Sequence, residues 1–166
     1  METQLLNSTQ IRRTVERIAI EILEHNFHET ELVLAGINNN GVRFAERLLA
    51  VLQQRAPHIA FTFANIRLNP AAPTRSPITI SLDATRLENR VVIVVDDVAD
   101  TGRTAYYALR PLLDVLCKKV EIAVLVDRKH KSFPAQPDYI GLSLATTLQE
   151  TIDVRLNSDI EGVFLR

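Results

Sequence analysis

Cysteine is nearly absent from this chain of 166 residues, tryptophan is wholly absent, and only five glycines occur. The single cysteine, Cys117, excludes an internal disulfide framework and a cysteine-rich zinc site. The four histidines form no metal-binding motif. No apolar run approaches the roughly 18–20 residues that cross a bilayer, and the first residues lack the apolar core of a secretory signal. We therefore expect a cytoplasmic protein that makes no membrane contact.

Neither sign of charge is in excess. Nineteen lysines and arginines stand against 20 aspartates and glutamates, giving a formal net charge of −1. This balance argues against a chain whose whole surface binds nucleic acid, although a local basic patch is compatible with it. Apolar residues make up 46% and charged residues 23%, which excludes disorder and fibrous repeats. The length predicts one domain spanning residues 1–166.

Two segments have apolar residues at helical spacing. The first helix is expected to start at a cap formed by Asn7 or Ser8 and to end near His25–Asn26. The second follows the turn Asn38–Gly41 and carries its own apolar stripe. Seven segments are predicted as strands: Leu32–Gly36, Ile59–Ile66, Ile78–Leu82, Val91–Val95, Val120–Val126, Tyr139–Leu144 and Thr151–Leu156.

Strands apolar on both faces, alternating with helices, are typical of a buried parallel sheet. Val91–Val95 is apolar throughout and is predicted as the central strand. The element order therefore predicts an α/β fold with an open parallel sheet flanked by helices. In such a sheet the ligand crevice lies at the carboxyl ends of the strands.

Four further segments are predicted from their proline content, charge or position. Three prolines within Arg67–Pro77 indicate a mobile loop. Thr104–Cys117 is predicted as a helix in which Pro111 causes a kink or a break. The charged run Asp127–Lys131 is interpreted as a solvated loop, with a contact to the base, the pyrophosphate or RNA as the alternative. Gly162–Leu165 is either a terminal strand or an interface.

Two adjacent carboxylates, Asp96 and Asp97, follow directly after the apolar strand Val91–Val95. Isolated buried carboxylates are costly, so the pair is expected where the strand emerges into the crevice. Side chains alternate along an extended segment, so one carboxylate would face a ligand while the other supports it or acts through a bound cation.

A polar turn, Asp100–Thr104, follows the acidic pair where the next helix begins. Backbone N–H groups at a helix start and the helix dipole favour a phosphate. Gly102 allows close backbone approach, and the hydroxyls of Thr101 and Thr104 can donate to phosphate oxygens. Acids on one side and a phosphate site on the other predict a sugar phosphate as the ligand.

This stretch resembles the phosphoribosyl-pyrophosphate motif of type I phosphoribosyltransferases: an apolar strand, an acidic pair, a short loop and Thr-Gly-x-Thr. The wider chain resembles the pyrimidine-operon attenuator/uracil phosphoribosyltransferase branch, through IRRTVERIAIEILEHN, LVLAGINNNGVRFAERL and VEIAVLVDRKHKSFPAQPDYIG. The resemblance implies a Rossmann-like core with a small hood, a homo-oligomer, and Mg²⁺ as cofactor.

The resemblance also implies roles for individual residues. Asp96 and Asp97 would meet the ribose hydroxyls directly or through Mg²⁺. They would hold this cation either directly or through water. Asp100 would be the catalytic residue, facing N7 of a purine, unless it is only an acid favoured by a helix start. The remaining implied substrate-binding residues are Thr101, Gly102, Arg103 and Thr104 for the 5′-phosphate, Asn38 and Asn39 for the pyrophosphate, and Tyr139 and Ile140 of the hood for the base.

Two functions are therefore compatible with the sequence. The first is transfer of ribose 5-phosphate from phosphoribosyl pyrophosphate to uracil or a purine. The second is a regulator that keeps the sugar-phosphate site and reads RNA or a nucleotide, although the near-neutral charge does not indicate RNA. The turn Asn38–Asn40 carries amides and no cation, so Arg43, Arg67 or Arg75 would have to supply one. A phosphatase or receiver-type domain would leave the Thr-Gly-x-Thr turn unexplained.

Overall fold

The computed structural model describes residues 1–166 and contains two sheets and four α-helices. In chain order the elements are β1 (Thr3–Asn7), α1 (Ser8–His25), β2 (Glu31–Ile37), α2 (Asn38–Arg55), β3 (Ala60–Arg67), β4 (Thr79–Ile80), α3 (Ala84–Leu87), β5 (Val91–Ala99), α4 (Arg103–Ala108), β6 (Lys119–Arg128), β7 (Tyr139–Leu144), β8 (Ile152–Arg155) and β9 (Gly162–Leu165). No helix is both long and apolar enough to span a membrane.

The larger sheet has six strands in the order β4-β3-β2-β5-β6-β7. All neighbouring strands in it are parallel except β4, which pairs antiparallel with β3 at the edge. This confirms the predicted open parallel sheet with Val91–Val95 at its centre. Helices α1 and α2 cover one face, where Leu34, Ile93 and Leu125 are fully buried. Helices α3 and α4 cover the other.

Helix α1 begins where the sequence indicates, whereas α2 already includes the segment predicted as a turn before it. Asn7 caps α1 in a reciprocal capping box: its side chain accepts from the backbone N–H of Gln10, and the Gln10 side chain accepts from the backbone N–H of Asn7. Asn38–Gly41 forms the first turn of α2, with Asn38 at a positive φ of 51°. A Cβ at Gly41 would lie 2.5 Å from the carbonyl oxygen of Val95, so the glycine lets α2 start directly against the central strand.

Two predicted elements have different bounds in the structure. The helix expected over Thr104–Cys117 ends at Ala108 and is followed by a 3₁₀ turn, Arg110–Leu112. Pro111 lacks an N–H group and clashes with the preceding turn, so it tightens and ends the helix. The edge strand expected over Ile78–Leu82 is reduced to the two residues of β4.

The smaller sheet, which we call the hood, contains the antiparallel strands β1, β9 and β8. It joins the two ends of the chain, because Thr3 pairs with Leu165 and Asn7 with Gly162. Gly162–Leu165 is therefore a strand, and Ile152–Arg155 forms the predicted edge strand. Strand β1 has no counterpart among the sequence predictions.

Candidate functional site

A cleft lies at the carboxyl ends of β2 and β5, the edge at which parallel sheets bind ligands. It has two adjoining hollows. One is lined by the turn between β5 and α4, and the other by the start of α2 and the segment after β3. Asp96 and Thr104 line both hollows, so the two form one continuous surface.

The acidic pair lies inside β5, which continues to Ala99 instead of ending at Val95. Asp96 is buried and Asp97 is half-buried. Asp96 Oδ1 accepts a hydrogen bond from the Asp97 backbone N–H at 2.9 Å, and Asp97 Oδ1 accepts from the Val98 N–H at 2.9 Å. Asp96 borders both hollows whereas Asp97 borders only the one beside α2, so the two carboxyls have different surroundings.

The environment of the pair disfavours two negative charges. Burial, followed by the neighbouring Asp97 charge, raises the pKa of Asp96 well above its ordinary value. Burial also raises the pKa of Asp97, partly offset by hydrogen bonds from its surroundings, including the Asn40 side chain. Without a cation the pair therefore retains a proton more readily than exposed carboxyls do. Two adjacent carboxylate oxygens in such a place suit a hard divalent cation that completes its shell with ligand oxygens and water.

The turn between β5 and α4 is held in place by the loop that follows β6. Gly102 has a φ of +84°, and a Cβ there would lie 3.2 Å from the Ala135 carbonyl oxygen. The Thr101 carbonyl oxygen accepts hydrogen bonds from the N–H groups of Ser132 and Phe133 at 2.9 and 3.1 Å. Because α4 has only six residues, its dipole is short, and the turn's own N–H groups and hydroxyls would provide most of any phosphate contact.

The start of α2 meets the segment after β3 through amide contacts. Asn38 Nδ2 donates to the Leu68 carbonyl oxygen at 3.0 Å, and the Leu68 N–H donates to Asn38 Oδ1 at 3.1 Å. Arg67 Nη1 donates to Asn39 Oδ1 at 2.8 Å. This contact places a guanidinium at the uncharged turn, whereas Arg75 lies in a separate surface hollow beside Arg110.

A further contact ties the loop after β3 to the turn between β5 and α4, residues Asp100–Thr104, which we call the phosphate turn after its predicted ligand. Arg103 Nη2 donates to the Pro70 carbonyl oxygen at 2.7 Å, and Pro70 lines the hollow that contains the acidic pair. The segment predicted as a loop over residues 67–77 therefore forms one wall of the cleft.

Tyr139 and Ile140 do not lie in the hood, and neither lines the two hollows. They open β7 of the larger sheet. The Tyr139 hydroxyl donates to the buried Glu121 Oε2 at 2.7 Å, and the ring is 1% exposed in the core beneath α1. The Ile140 carbonyl accepts from Arg17. The structure therefore places Tyr139 in the core and Ile140, partly buried, in the sheet, and it brings neither residue to the two hollows.

The charged run Asp127–Lys131 is also unlike its prediction. Asp127 and Arg128 end β6 and are buried, and Lys131 packs against them beside the phosphate turn. Charge density alone indicated solvent exposure, and two partners of Arg128, Asp100 and Thr146, are distant from it in the sequence. One pattern in the sequence could have indicated their burial: the apolar strand leads directly into the charged residues, as it does at Asp96 and Asp97.

These features together define an α/β protein with a polar cleft at the carboxyl ends of its central parallel strands. Residues 1–158 match the phosphoribosyl transferase domain family, and the chain belongs to that family. It is 35% identical to the bifunctional protein PyrR of Chloroflexus aurantiacus, over 98% of this chain and 92% of that protein. It is 37% identical to the bifunctional protein PyrR of Staphylococcus aureus, over 93% of this chain and 92% of that protein.

Solved structures confirm the type I phosphoribosyltransferase fold. A hypoxanthine-guanine-xanthine phosphoribosyltransferase superposes with a TM-score of 0.72 at 21% identity, covering 98% of this chain and 92% of that chain. The hypoxanthine phosphoribosyltransferase of Trypanosoma cruzi has a TM-score of 0.73 at 18% identity, covering 87% of this chain and 78% of that chain.

The buried Asp96 carboxyl predicts a pH-dependent loss of stability in the metal-free protein. Because burial raises its pKa in the folded state, its stabilising contribution is present in acid and is lost as pH rises through the folded-state pKa. The variant Asp96→Asn keeps the acceptor for the Asp97 N–H and has no charge to bury. With chelator present, we expect its Tm at pH 8 to exceed that of the wild type, with a smaller difference at pH 5.

Thermal unfolding followed by circular dichroism between pH 5 and 8 measures this effect. Each kcal/mol changes the Tm of a domain of this size by about 2–4 °C. The exposed Asp83→Asn is the matched control and should follow the wild type. Parallel curves for the wild type and Asp96→Asn would contradict the assignment.

Proposed function

We propose that this protein transfers the ribose 5-phosphate group of phosphoribosyl pyrophosphate to a nucleobase, uracil or a purine, and releases pyrophosphate. The observation that carries the proposal is the continuity of the cleft. The acidic pair lies between the phosphate turn on one side and residues Asn38–Asn40, which we call the amide turn, on the other. Arg67 contacts the amide turn. A sugar phosphate that also carries a pyrophosphate group has three polar parts in this order.

The substrate would bind with its 5′-phosphate at residues Thr101–Thr104, where turn N–H groups and two hydroxyls are available. Its ribose hydroxyls would face Asp96 and Asp97, because carboxylates accept hydrogen bonds from hydroxyls. The pyrophosphate would lie at Asn38 and Asn39, with Arg67 supplying the positive charge.

Asp96 and Asp97 would also hold Mg²⁺, which fits their paired oxygen donors. When bound, this cation supplies charge stabilisation to the departing pyrophosphate. The contribution of the chain itself is positioning: it fixes the three parts of the substrate and leaves C1 of the ribose open to a base nitrogen. The contact between Arg103 and Pro70 holds the loop after β3 against the phosphate turn, beside the acidic pair.

The nucleobase would be recognised by Asp100, which follows β5 and lines the phosphate hollow. Its carboxylate is half exposed and can accept a hydrogen bond from a base N–H. The N7–H of a free purine in its N7–H tautomer and a ring N–H of uracil are both such donors. For this reason the proposal names the two classes together.

A regulatory protein with the same sugar-phosphate site is the alternative, and the absence of a cation within Asn38–Asn40 favours it. The position of Arg67 favours the enzyme, because this residue at the end of β3 would supply the positive charge that Asn38–Asn40 lacks. Turnover separates the two functions, since both require phosphoribosyl pyrophosphate to bind.

The direct test is a panel assay of pyrophosphate release with Mg²⁺, phosphoribosyl pyrophosphate and, in turn, uracil, hypoxanthine, guanine, xanthine and adenine. We expect release that depends on at least one base. A protein that binds phosphoribosyl pyrophosphate in calorimetry and yet releases nothing with any base would contradict the enzyme and support the regulator.

Arg67 gives a second test, because its guanidinium contacts Asn39 in the turn Asn38–Asn40. Replacing it by glutamine keeps a side chain that can hydrogen-bond Asn39 and removes the positive charge. We expect Arg67→Gln to raise the KM for phosphoribosyl pyrophosphate by about tenfold, the loss of one charge-assisted contact. Steady-state kinetics measure this change.

Arg13→Gln is the matched control for Arg67→Gln, since Arg13 is an exposed arginine of α1. Its KM should stay within about twofold of the wild type. Equal effects of the two substitutions would show that Arg67 has no special position at the pyrophosphate.

A further inference from the structure

Four charged side chains meet behind the phosphate turn, where β6 ends. The side chains of Asp127, Arg128 and Lys131 are 9%, 8% and 11% exposed, whereas that of Asp100 is 50% exposed. Buried ion pairs contribute little net stability, because both partners lose their hydration. A buried cluster beside a ligand cleft is therefore better explained by the geometry it imposes.

Lys131 holds the backbone of the turn. Its Nζ donates to the Asp100 carbonyl oxygen at 2.9 Å and to the Arg128 carbonyl oxygen at 2.7 Å, and it pairs with Asp127 Oδ1. A lysine ammonium has three N–H donors, and these three oxygens occupy them. Lys131 therefore has no N–H donor left for the carboxylate of Asp100 or for a ligand.

Arg128 instead reaches the carboxylate of Asp100. Its Nη1 donates to Asp100 Oδ2 at 3.3 Å, its Nε donates to Thr146 Oγ1 at 2.8 Å, and its Nη2 donates to the Thr147 carbonyl oxygen at 2.9 Å. The guanidinium is planar and rigid, so two contacts to the segment after β7 fix the direction of the third.

The accessibility of the two partners separates their roles. Arg128 is almost completely enclosed, so it is not itself placed to bind a ligand. Asp100 keeps half of its surface and borders the hollow next to Asp96. An orientation imposed on Asp100 from behind would leave its free oxygen directed at the cleft.

We propose that Arg128 is a positioning residue for nucleobase recognition: it holds the Asp100 carboxylate towards the base and fixes it to residues Thr146 and Thr147. This inference rests on the proposed transfer to a nucleobase. Lys131 and Arg128 thus have different roles at the same turn. Lys131 stabilises the backbone that meets the 5′-phosphate, and Arg128 orients the side chain that meets the base.

The test compares Arg128→Met with the wild type in two measurements. We expect kcat/KM for the base, at saturating phosphoribosyl pyrophosphate, to fall at least about tenfold. The Kd of Mg²⁺–phosphoribosyl pyrophosphate from calorimetry should stay within about twofold, because the turn backbone is still held by Lys131. Lys129→Met removes an exposed neighbouring cation and is the matched control.

A double-mutant cycle with Asp100→Asn shows whether Arg128 acts through Asp100. If it does, Arg128→Met causes no further loss of kcat/KM in the Asp100→Asn background. A purely structural role would give additive losses and a parallel loss of phosphoribosyl pyrophosphate affinity, and either result overturns the inference. Should Arg128→Met not fold, Arg128→Lys replaces it with the same expectations, because lysine keeps the charge and loses the rigid three-way contact.

The same experiment distinguishes failure of the inference from failure of the proposed function. A wild-type protein that transfers to no base overturns both. A wild-type protein that transfers, with Arg128→Met equal to it, overturns the positioning role alone.

Discussion

The site depends on the burial of two adjacent carboxyls at the end of an apolar strand. Asp96 and Asp97 extend β5, whose preceding residues from Val91 to Val95 are fully buried. The sheet thus brings acidic groups into a region of low dielectric, where like charges repel strongly and the pKa of each is raised. A protein keeps such a costly arrangement where a cation or a polyhydroxyl ligand compensates for it.

The neighbouring elements are arranged around this pair. Gly41 lets α2 approach the carbonyl of Val95, and Asn40 and Asp97 line the same hollow. On the other side, the loop after β6 fixes the phosphate turn through backbone contacts to Thr101 and through Lys131. The cleft is therefore formed by rigid strand ends and clamped turns, which suits a reaction in which positioning provides most of the rate enhancement.

The sequence predicts the centre of this arrangement well because its signals are local. Val91–Val95, the acidic pair and Gly102 can each be interpreted from their immediate neighbours in the sequence. The structure has the predicted parallel sheet around them. Contacts between distant segments are what local patterns miss. Strand β1 is mostly exposed and pairs only with β9 at the opposite end of the chain. Arg128 looked solvated because Asp100 and Thr146 are 28 and 18 residues away.

We propose that the acidic pair belongs to a site for Mg²⁺–phosphoribosyl pyrophosphate. Calorimetric titration of this ligand into the wild type, Asp97→Asn and the exposed control Asp83→Asn tests it most directly. We predict saturable binding by the wild type and the control, and an affinity at least about tenfold weaker for Asp97→Asn, which loses a charge-assisted contact. No binding by the wild type, or equal affinity of Asp97→Asn, would contradict the account.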